Sequence, residues 1–450
     1  MEKDTQNYFK GKKVTVLGLG LLGGALNDIK FLAEQGAVLT VTDLKSAEEL
    51  APSVEALKEY DNITYALGEH RLEDFQDADF VLQPGNVPTD SPYLLEAKKN
   101  NIPVHVSESL FAEHVQKDVV LVGVTGTRGK STVTQLIYET LVKFPPEVGK
   151  VHLAGNVKDT STLALLDKVS TGDVIVMELD SWALHGMGDI QKSPHIAVFT
   201  TFMVDHMNFY KGDLNAYLSD KANIFRFQKE DDVLVLGEKV VKILGNSIGL
   251  DRIVPKKIIA SPHDVPKEWS VKIPGEHNLY NIACAVEALR ALGLRDTQIQ
   301  EGVEAFTGVE GRLQLVAETD GVKIYNDTTA TTPDATLAGL RAVSENNNVV
   351  LIAGGTDKQI EVQNLVGEIA EHVKAVVLLP GTGTEKMFPQ LVGKVKELHT
   401  IKTLEEAVKK ARELAIAGDV ILFSPGFASF GLFVNEYDRG EQFDALIKSS

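Results

Sequence analysis

The stretch Gly123-Val124-Thr125-Gly126-Thr127-Arg128-Gly129-Lys130-Ser131-Thr132 carries the strongest chemical signal in this sequence of 450 residues. Its glycines let a backbone curl until successive N–H groups point at phosphate oxygens. Lys130 can reach the β- and γ-phosphates of a nucleoside triphosphate, and the Ser131 hydroxyl can ligate Mg²⁺. Five residues separate Gly123 from Gly129, so the loop is not a strict example of the common nucleotide-binding spacing. Binding of ATP or GTP is still the direct reading, through Gly123, Thr125, Gly126, Thr127, Arg128, Gly129, Lys130, Ser131 and Thr132.

A second glycine-rich turn, Gly18-Leu19-Gly20-Leu21-Leu22-Gly23, follows an apolar run, and Asp43 stands 20 residues beyond Gly23. A carboxylate there suits a ribose hydroxyl, and the turn suits a diphosphate. Taken alone it leaves three readings: a nicotinamide dinucleotide, another nucleotide-like ligand, or a structural tight turn. Glu178 ends the apolar run Val174-Ile175-Val176-Met177. A carboxylate at the C-terminal end of a strand beside a phosphate loop is where a Mg²⁺ ligand is expected. His206 and Lys221, judged by residue type, fit a satisfied histidine and a solvated helical lysine as readily as a site.

For these side chains to meet, the chain must supply strands with helices between them. Short β-branched runs at 14–17, 38–42, 80–82 and 104–106 read as parallel strands, with amphipathic segments at 27–35 and 53–60. The same grammar returns at 119–122, 174–177, 196–200 and 233–236, and again at 349–352, 375–379 and 420–423. This alternation predicts an α/β architecture with right-handed crossovers. A polar stretch over 107–117 and the segment Thr307-Gly308-Val309-Glu310-Gly311-Arg312 mark boundaries, giving domains over 1–108, 109–310 and 311–450.

A net charge of −18 argues against a nucleic-acid or anionic-membrane partner. An anionic substrate would therefore need local cations. The single cysteine, Cys284, excludes an internal disulfide or a cysteine-based zinc site and fits a reducing compartment. The polar N-terminus has no signal-peptide core, and no run reaches the ~18 apolar residues of a membrane helix. A cytoplasmic monomer acting on small molecules is the expectation.

The order of motifs through nearly the whole chain resembles the Mur ligase superfamily. TGTxGKST is similar to that family's phosphate loop, and Gly155-Asn156 to its GN element. Glu178-Leu179-Asp180-Ser181-Trp182 resembles its ELSSF/W segment, and Asp205-His206 its DH pair. Tyr217 and Lys221 resemble its YxxxK stretch, residues 275–281 its GxHNxxN segment, Arg312 its linker arginine and Asn326-Asp327 its ND motif. The start Gly18–Gly23, the GGTDK at 354–358 and the SPGFASF at 424–430, followed by Arg439-Gly440, are most similar to the branch that adds D-glutamate.

The resemblance implies a Rossmann-like N-terminal domain for a UDP-linked precursor, a central P-loop ATPase-type domain with a parallel or mixed sheet, and a Rossmann-like C-terminal domain for the amino acid. It implies an ATP-dependent ligase of peptidoglycan synthesis. Such an enzyme converts UDP-N-acetylmuramoyl-L-alanine to an acyl phosphate, joins it to glutamate, and releases ADP and phosphate. Lys130, Glu178, His206 and Lys221 would be catalytic. Two Mg²⁺ would be held by Ser131, Glu178, His206 and Lys221, the last as a carbamate. Asn281, Arg312 and Asp327 would add ATP contacts. Gly18, Gly20, Leu21, Leu22, Gly23, Asp43, Gly85, Asn86 and Asn156 would hold the UDP substrate, and Thr331, Lys358, Ser429 and Phe430 the amino acid.

Some positions depart from the pattern. Arg128 replaces an asparagine, Thr329 a lysine, Thr332 an asparagine, and Glu436 stands where an aromatic lines the glutamate pocket, unless Tyr437 takes that role through a local shift. The alternative is therefore the same reaction with L-glutamate or another amino acid. An NAD-dependent dehydrogenase would use the first glycine turn but leave His206, Lys221 and Asn281 without a role.

Overall fold

A computed structural model describes residues 8–20, 23–85, 87–157, 161–207, 209–358, 360–429 and 431–449. The first sheet contains β1 (Lys13–Leu17), β2 (Val38–Asp43), β3 (Ile63–Leu67), β4 (Phe80–Leu82) and β5 (Val104–His105). Its order is β3-β2-β1-β4-β5, with every pair parallel. The order reverses between β1 and β4, and a crevice opens beyond the C-terminal ends of strands at such a reversal. The turns carrying Gly18 and Gly85 flank it.

The second sheet contains β6 (Val120–Thr125), β7 (Val151–Gly155), β8 (Val174–Glu178), β9 (Ile196–Phe199), β10 (Val233–Gly237) and β11 (Lys256–Ala260). It runs β11-β10-β9-β6-β8-β7 and is parallel throughout. The third contains β12 (Gln314–Thr319), β13 (Val322–Asn326), β14 (Val349–Gly354), β15 (Val373–Leu379), β16 (Glu397–Thr400) and β17 (Val420–Phe423), in the order β12-β13-β17-β14-β15-β16. Here β12 is antiparallel to β13, so this sheet is mixed. Strands such as β8, β14 and β17 are buried along their whole length. Helices cover both of their faces, which is why they read as unbroken apolar runs.

The chain forms two compact units. One comprises residues up to Lys267 with Tyr280–Gly302 and holds the first two sheets. The other comprises Glu268–Leu279 with residues from Val303 onward and holds the third. In the first unit one continuous core runs from Phe9 and Leu32 through Leu110, Phe111 and Leu163 to Phe199. In the second, alternate strand residues feed separate cores on the two sheet faces, Leu351 and Leu378 on one and Val350 and Val377 on the other. The helix expected over 53–60 is shorter, Ala51–Glu55.

Candidate active site

The phosphate loop joins β6 to the helix Lys130–Lys143. Gly129 caps that helix at φ 90°, a left-handed conformation that favours glycine. A Cβ at Gly129 would also overlap Asn281 Oδ1, so the loop rests on this buried residue of the helix Glu276–Ala291. Gly123 lies further back, inside β6, opposite Met177 and Ala197. Thr125 Oγ1 donates to Leu179 O at 2.7 Å, and Thr127 Oγ1 accepts from Met203 N at 3.0 Å. Gly126 follows the strand, and Ser131 and Thr132, both half-buried, stand in the first helical turn.

Two lysines from different helices converge on one carbonyl. Lys130 Nζ donates to Gly126 O at 3.1 Å. Lys221, 1% exposed in the helix Leu214–Arg226, also donates to Gly126 O at 3.1 Å and to Thr125 Oγ1 at 3.3 Å. Its ammonium lies 5.0 Å from the Tyr217 ring centroid. Burial first, then repulsion from Lys130, lowers the Lys221 pKa to about 7, although Asp180, Asp205 and Glu178 oppose this.

Glu178 ends β8 in register with Val124, buried to 5% exposure. His206 adopts φ 54°, rare for a non-glycine residue, and its N–H donates to Asp205 Oδ1 at 2.9 Å. Its ring packs 4.9 Å from Trp182 and 6.0 Å from Tyr217, and burial lowers its pKa. Arg128 forms an ion pair with Asp205 at 3.3 Å. The residue that departs from the family pattern is thereby tied to the neighbour of His206. Asp180, part of the motif at 178–182 but given no role of its own by sequence reading, caps the helix Ser181–Asp189 by accepting from Trp182 N and Ala183 N at 2.9 and 2.8 Å. An aspartate two residues after Glu178, ahead of a helical stretch, was the available signal.

Mg²⁺ prefers oxygen ligands, which Glu178 and Ser131 offer here, while His206 offers an imidazole nitrogen and Lys221 an amine. Among the described residues no three His, Cys, Asp or Glu side chains converge closely enough to hold a metal by themselves. An ion that needs only one or two protein ligands, with phosphate oxygens completing its shell, matches that donor set.

The first glycine turn closes on itself. Asp43 Oδ2 accepts from Leu19 N at 2.9 Å and Gly20 N at 3.0 Å, while Oδ1 accepts from Lys45 N at 2.9 Å. Burial pushes the Asp43 carboxyl up, but these N–H bonds outweigh it and hold its pKa below the ordinary value. The N–H groups of Leu19 and Gly20 are thereby committed to Asp43 rather than free for a diphosphate, of a dinucleotide or of a UDP-linked ligand, while Oδ1 can still accept a further donor. Gly18 and Gly23 flank this turn, and Leu21 and Leu22 lie outside the described residues. Across the crevice, a Cβ at Gly85 would lie 2.7 Å from Trp182 Cβ, so the turn after β4 rests on the indole that packs against His206. Asn86 lies outside the described residues; Asn156 is exposed after β7, its N–H donating to Glu178 O at 2.9 Å.

The second unit gathers another set. Lys358 Nζ donates to Thr331 Oγ1 at 2.9 Å. The turns after β14 and β17 are joined by Thr356 and Ala428, each N–H donating to the other's carbonyl at 2.9 and 3.0 Å. Ser429 is buried beside that junction, and Phe430 lies outside the described residues. Asp327 accepts from Leu313 N at 3.0 Å and Ser424 Oγ at 2.7 Å, and burial raises its pKa to about 7. Arg312 is exposed in a tight turn whose N–H returns to Val309 O at 2.9 Å.

Three domain families match the chain. They are the Mur ligase MurD-like N-terminal domain over residues 12–106, the Mur ligase middle domain over 124–247 and the Mur ligase glutamate ligase domain over 311–427. A UDP-N-acetylmuramoylalanine--D-glutamate ligase of Roseiflexus sp. (strain RS-1) is 37% identical, over 98% of this chain and 99% of the relative. One of the same description from Acetivibrio thermocellus is 35% identical, over 99% and 98%. Among solved structures, the UDP-N-acetylmuramate-alanine ligase MurC of Thermotoga maritima superposes with TM-score 0.59 at 19% identity, over 97% of this chain and 99% of that one. The MurF ligase of the same organism, in complex with ADP, gives 0.57 at 17% identity, over 100% of both. These two share the fold.

Proposed function

The chain belongs to the Mur ligases, in their MurD-like branch, and we propose how its residues carry out that branch's reaction. The activity is ATP-dependent joining of D-glutamate to UDP-N-acetylmuramoylalanine, a step of peptidoglycan precursor synthesis. The observation that carries the residue assignments is the meeting of Lys130 and Lys221 at the Gly126 carbonyl, beside the strand end that bears Glu178.

A carboxylate is a poor electrophile because its charge repels a nucleophile. Transfer of the γ-phosphate to it creates an acyl phosphate, which the amine of D-glutamate then attacks, expelling phosphate. Negative charge crowds together as phosphate passes from ATP to carboxylate, so the site must supply cations in place beforehand. Lys130 is one, in the first turn of the helix Lys130–Lys143. Glu178 and Ser131 would hold one Mg²⁺ and His206 with carbamylated Lys221 a second, and such ions neutralise the charge that develops on the phosphoryl oxygens. Among the described residues Lys221 donates to neutral acceptors, Thr125 Oγ1 and Gly126 O, and a neutral amine there can add CO₂ with loss of a proton, giving an anion with two oxygen donors.

The UDP-linked substrate would lie along the turns at Gly18, Gly20, Gly23 and Gly85, with Asn156. In the second unit Thr331, Lys358 and Ser429 would receive D-glutamate; in the first, Asn281 would serve the nucleotide. No helix among the described residues is long and apolar enough to cross a membrane. A cytoplasmic monomer acting on small molecules completes the reading.

The test is phosphate release from ATP with UDP-N-acetylmuramoyl-L-alanine and a panel of D- and L-amino acids. D-Glutamate should give the highest turnover. Preference for L-glutamate or another amino acid would move the protein to the alternative left open by Glu436, and silence with every amine would overturn the ligase reading.

A further inference from the structure

Arg439 is buried to 1% exposure on the helix Glu436–Lys448. Its guanidinium meets three oxygens. Nε donates to Thr328 Oγ1 at 3.1 Å, Nη2 to Thr328 O at 2.6 Å, and Nη1 to Phe427 O at 3.2 Å. Thr328 belongs to the turn after β13, which leads to Thr331; Phe427 belongs to the turn after β17, which leads to Ser429. One side chain thus spans the two turns that bear the amino-acid-site candidates. Thr328 is held from other sides too. Its hydroxyl donates to Glu436 O at 2.9 Å, and its N–H donates to Asn326 Oδ1 at 3.0 Å. A Cβ at Gly440 would lie 2.6 Å from Thr328 Cγ2, so the helix can approach this closely only because glycine follows Arg439.

Burying a cation is costly, and an apolar side chain of similar size would pack the same space with less penalty. What the guanidinium adds is a rigid fork that fixes several acceptors at set separations, which a lysine ammonium cannot reproduce. Lys358 reaches the same group through Thr331, and it lies within electrostatic range of both Glu436 and Arg439. Glu436 in turn attracts both cations.

We propose that Arg439 is a positioning residue for the incoming amino acid, setting the separation of the Thr331 and Ser429 turns without touching substrate. This rests on the reading that Thr331, Lys358 and Ser429 receive D-glutamate. The experiment compares parent, Arg439→Lys, Thr328→Val and Thr328→Ser by steady-state kinetics and thermal melting. In Arg439→Lys and Thr328→Val the KM for D-glutamate should rise about tenfold or more, the size of one lost charge-assisted hydrogen bond. KM for ATP and for the UDP substrate should stay within about twofold of the parent's, and Thr328→Ser should behave as the parent. An unchanged D-glutamate KM in both variants overturns the proposal alone, as do KM values that rise together for all substrates with a falling melting temperature. A parent that does not use D-glutamate overturns the underlying reading as well.

Discussion

Two ammonium groups donating to one carbonyl would repel each other in a site largely screened from water, and the fold still brings Lys130 and Lys221 together at Gly126 O. The tension is relieved if Lys130 turns to ATP phosphates while Lys221 loses its charge or becomes an anion. Lys221→Ala should therefore cut phosphate release by on the order of a hundredfold or more, the scale of losing a preorganised charge contact. Bicarbonate cannot rescue alanine by carbamylation, but short carboxylates such as formate should restore part of the rate by supplying the missing oxygens; parent-like activity would remove Lys221 from the chemistry. Arg128 calls for a different balance. Its pair with Asp205 is exposed, and such pairs contribute roughly 0–1 kcal/mol, so Arg128→Asn should leave the melting temperature nearly unchanged. Its charge beside the triphosphate should matter more. The KM for ATP is expected to rise severalfold in Arg128→Asn at low salt, with the gap narrowing as salt screens the contact. A gap that ignores salt would mean the arginine acts through the loop's shape.

At the scale of elements, the phosphate loop works because a left-handed residue sits where β6 hands over to its helix, pressed on Asn281. Gly129→Ala meets both obstacles, a disfavoured φ costing on the order of 1 kcal/mol and an overlap that must push Asn281 or the loop aside. Titration with a non-hydrolysable ATP analogue should show affinity reduced at least about tenfold, and undiminished binding would refute this account of the loop. The loop was legible in the sequence because its three glycines and the lysine fall within one short stretch, Gly123 to Lys130, and β8 and β17 were legible because strands buried on both faces leave unbroken apolar runs. The strands that escaped include β3, β11 and β16, which interleave exposed or polar residues such as Lys256, Lys257 and Glu397 with apolar ones. Asp43 was recognised at the right spacing, but its use by the N–H groups of Leu19 and Gly20 depends on how the turn folds. The Arg439 cross-link joins residues 111 apart in the chain, and the Lys358–Thr331 bond joins residues 27 apart, separations at which no local pattern announces a partner.

Across the first unit as a whole, the two sheets share a core, and a buried acid ties their helices together. Asp28, in the helix Gly23–Glu34, accepts through Oδ1 from Ser107 Oγ at 2.9 Å and Ser161 Oγ at 2.5 Å. Those hydroxyls in turn accept from Leu163 N and Ala164 N. Burial raises the Asp28 pKa from 3.8 to about 6, against the bonds from Ser161 and Ser107. Because the folded state then binds its proton more tightly than the unfolded chain, the contribution is fully present below about pH 4 and declines as pH rises to about 6, then stays level. Asp28→Asn keeps Oδ1 as acceptor for both serines but cannot ionise. Denaturant unfolding of parent and variant should therefore show the Asn protein gaining on the parent between pH 4 and pH 6, by on the order of 2 kcal/mol. Glu108 leaves this pH 4–6 difference alone and adds to the variant's gain only near pH 8, where its own carboxyl titrates in the folded state. Its pKa is raised to about 8 by burial first, then Asp180, with repulsion from Asp28 adding a smaller part that the variant removes. A difference between the two proteins that stays flat across this range would mean the serine bonds, which both retain, outweigh the charge state in holding the two sheets together.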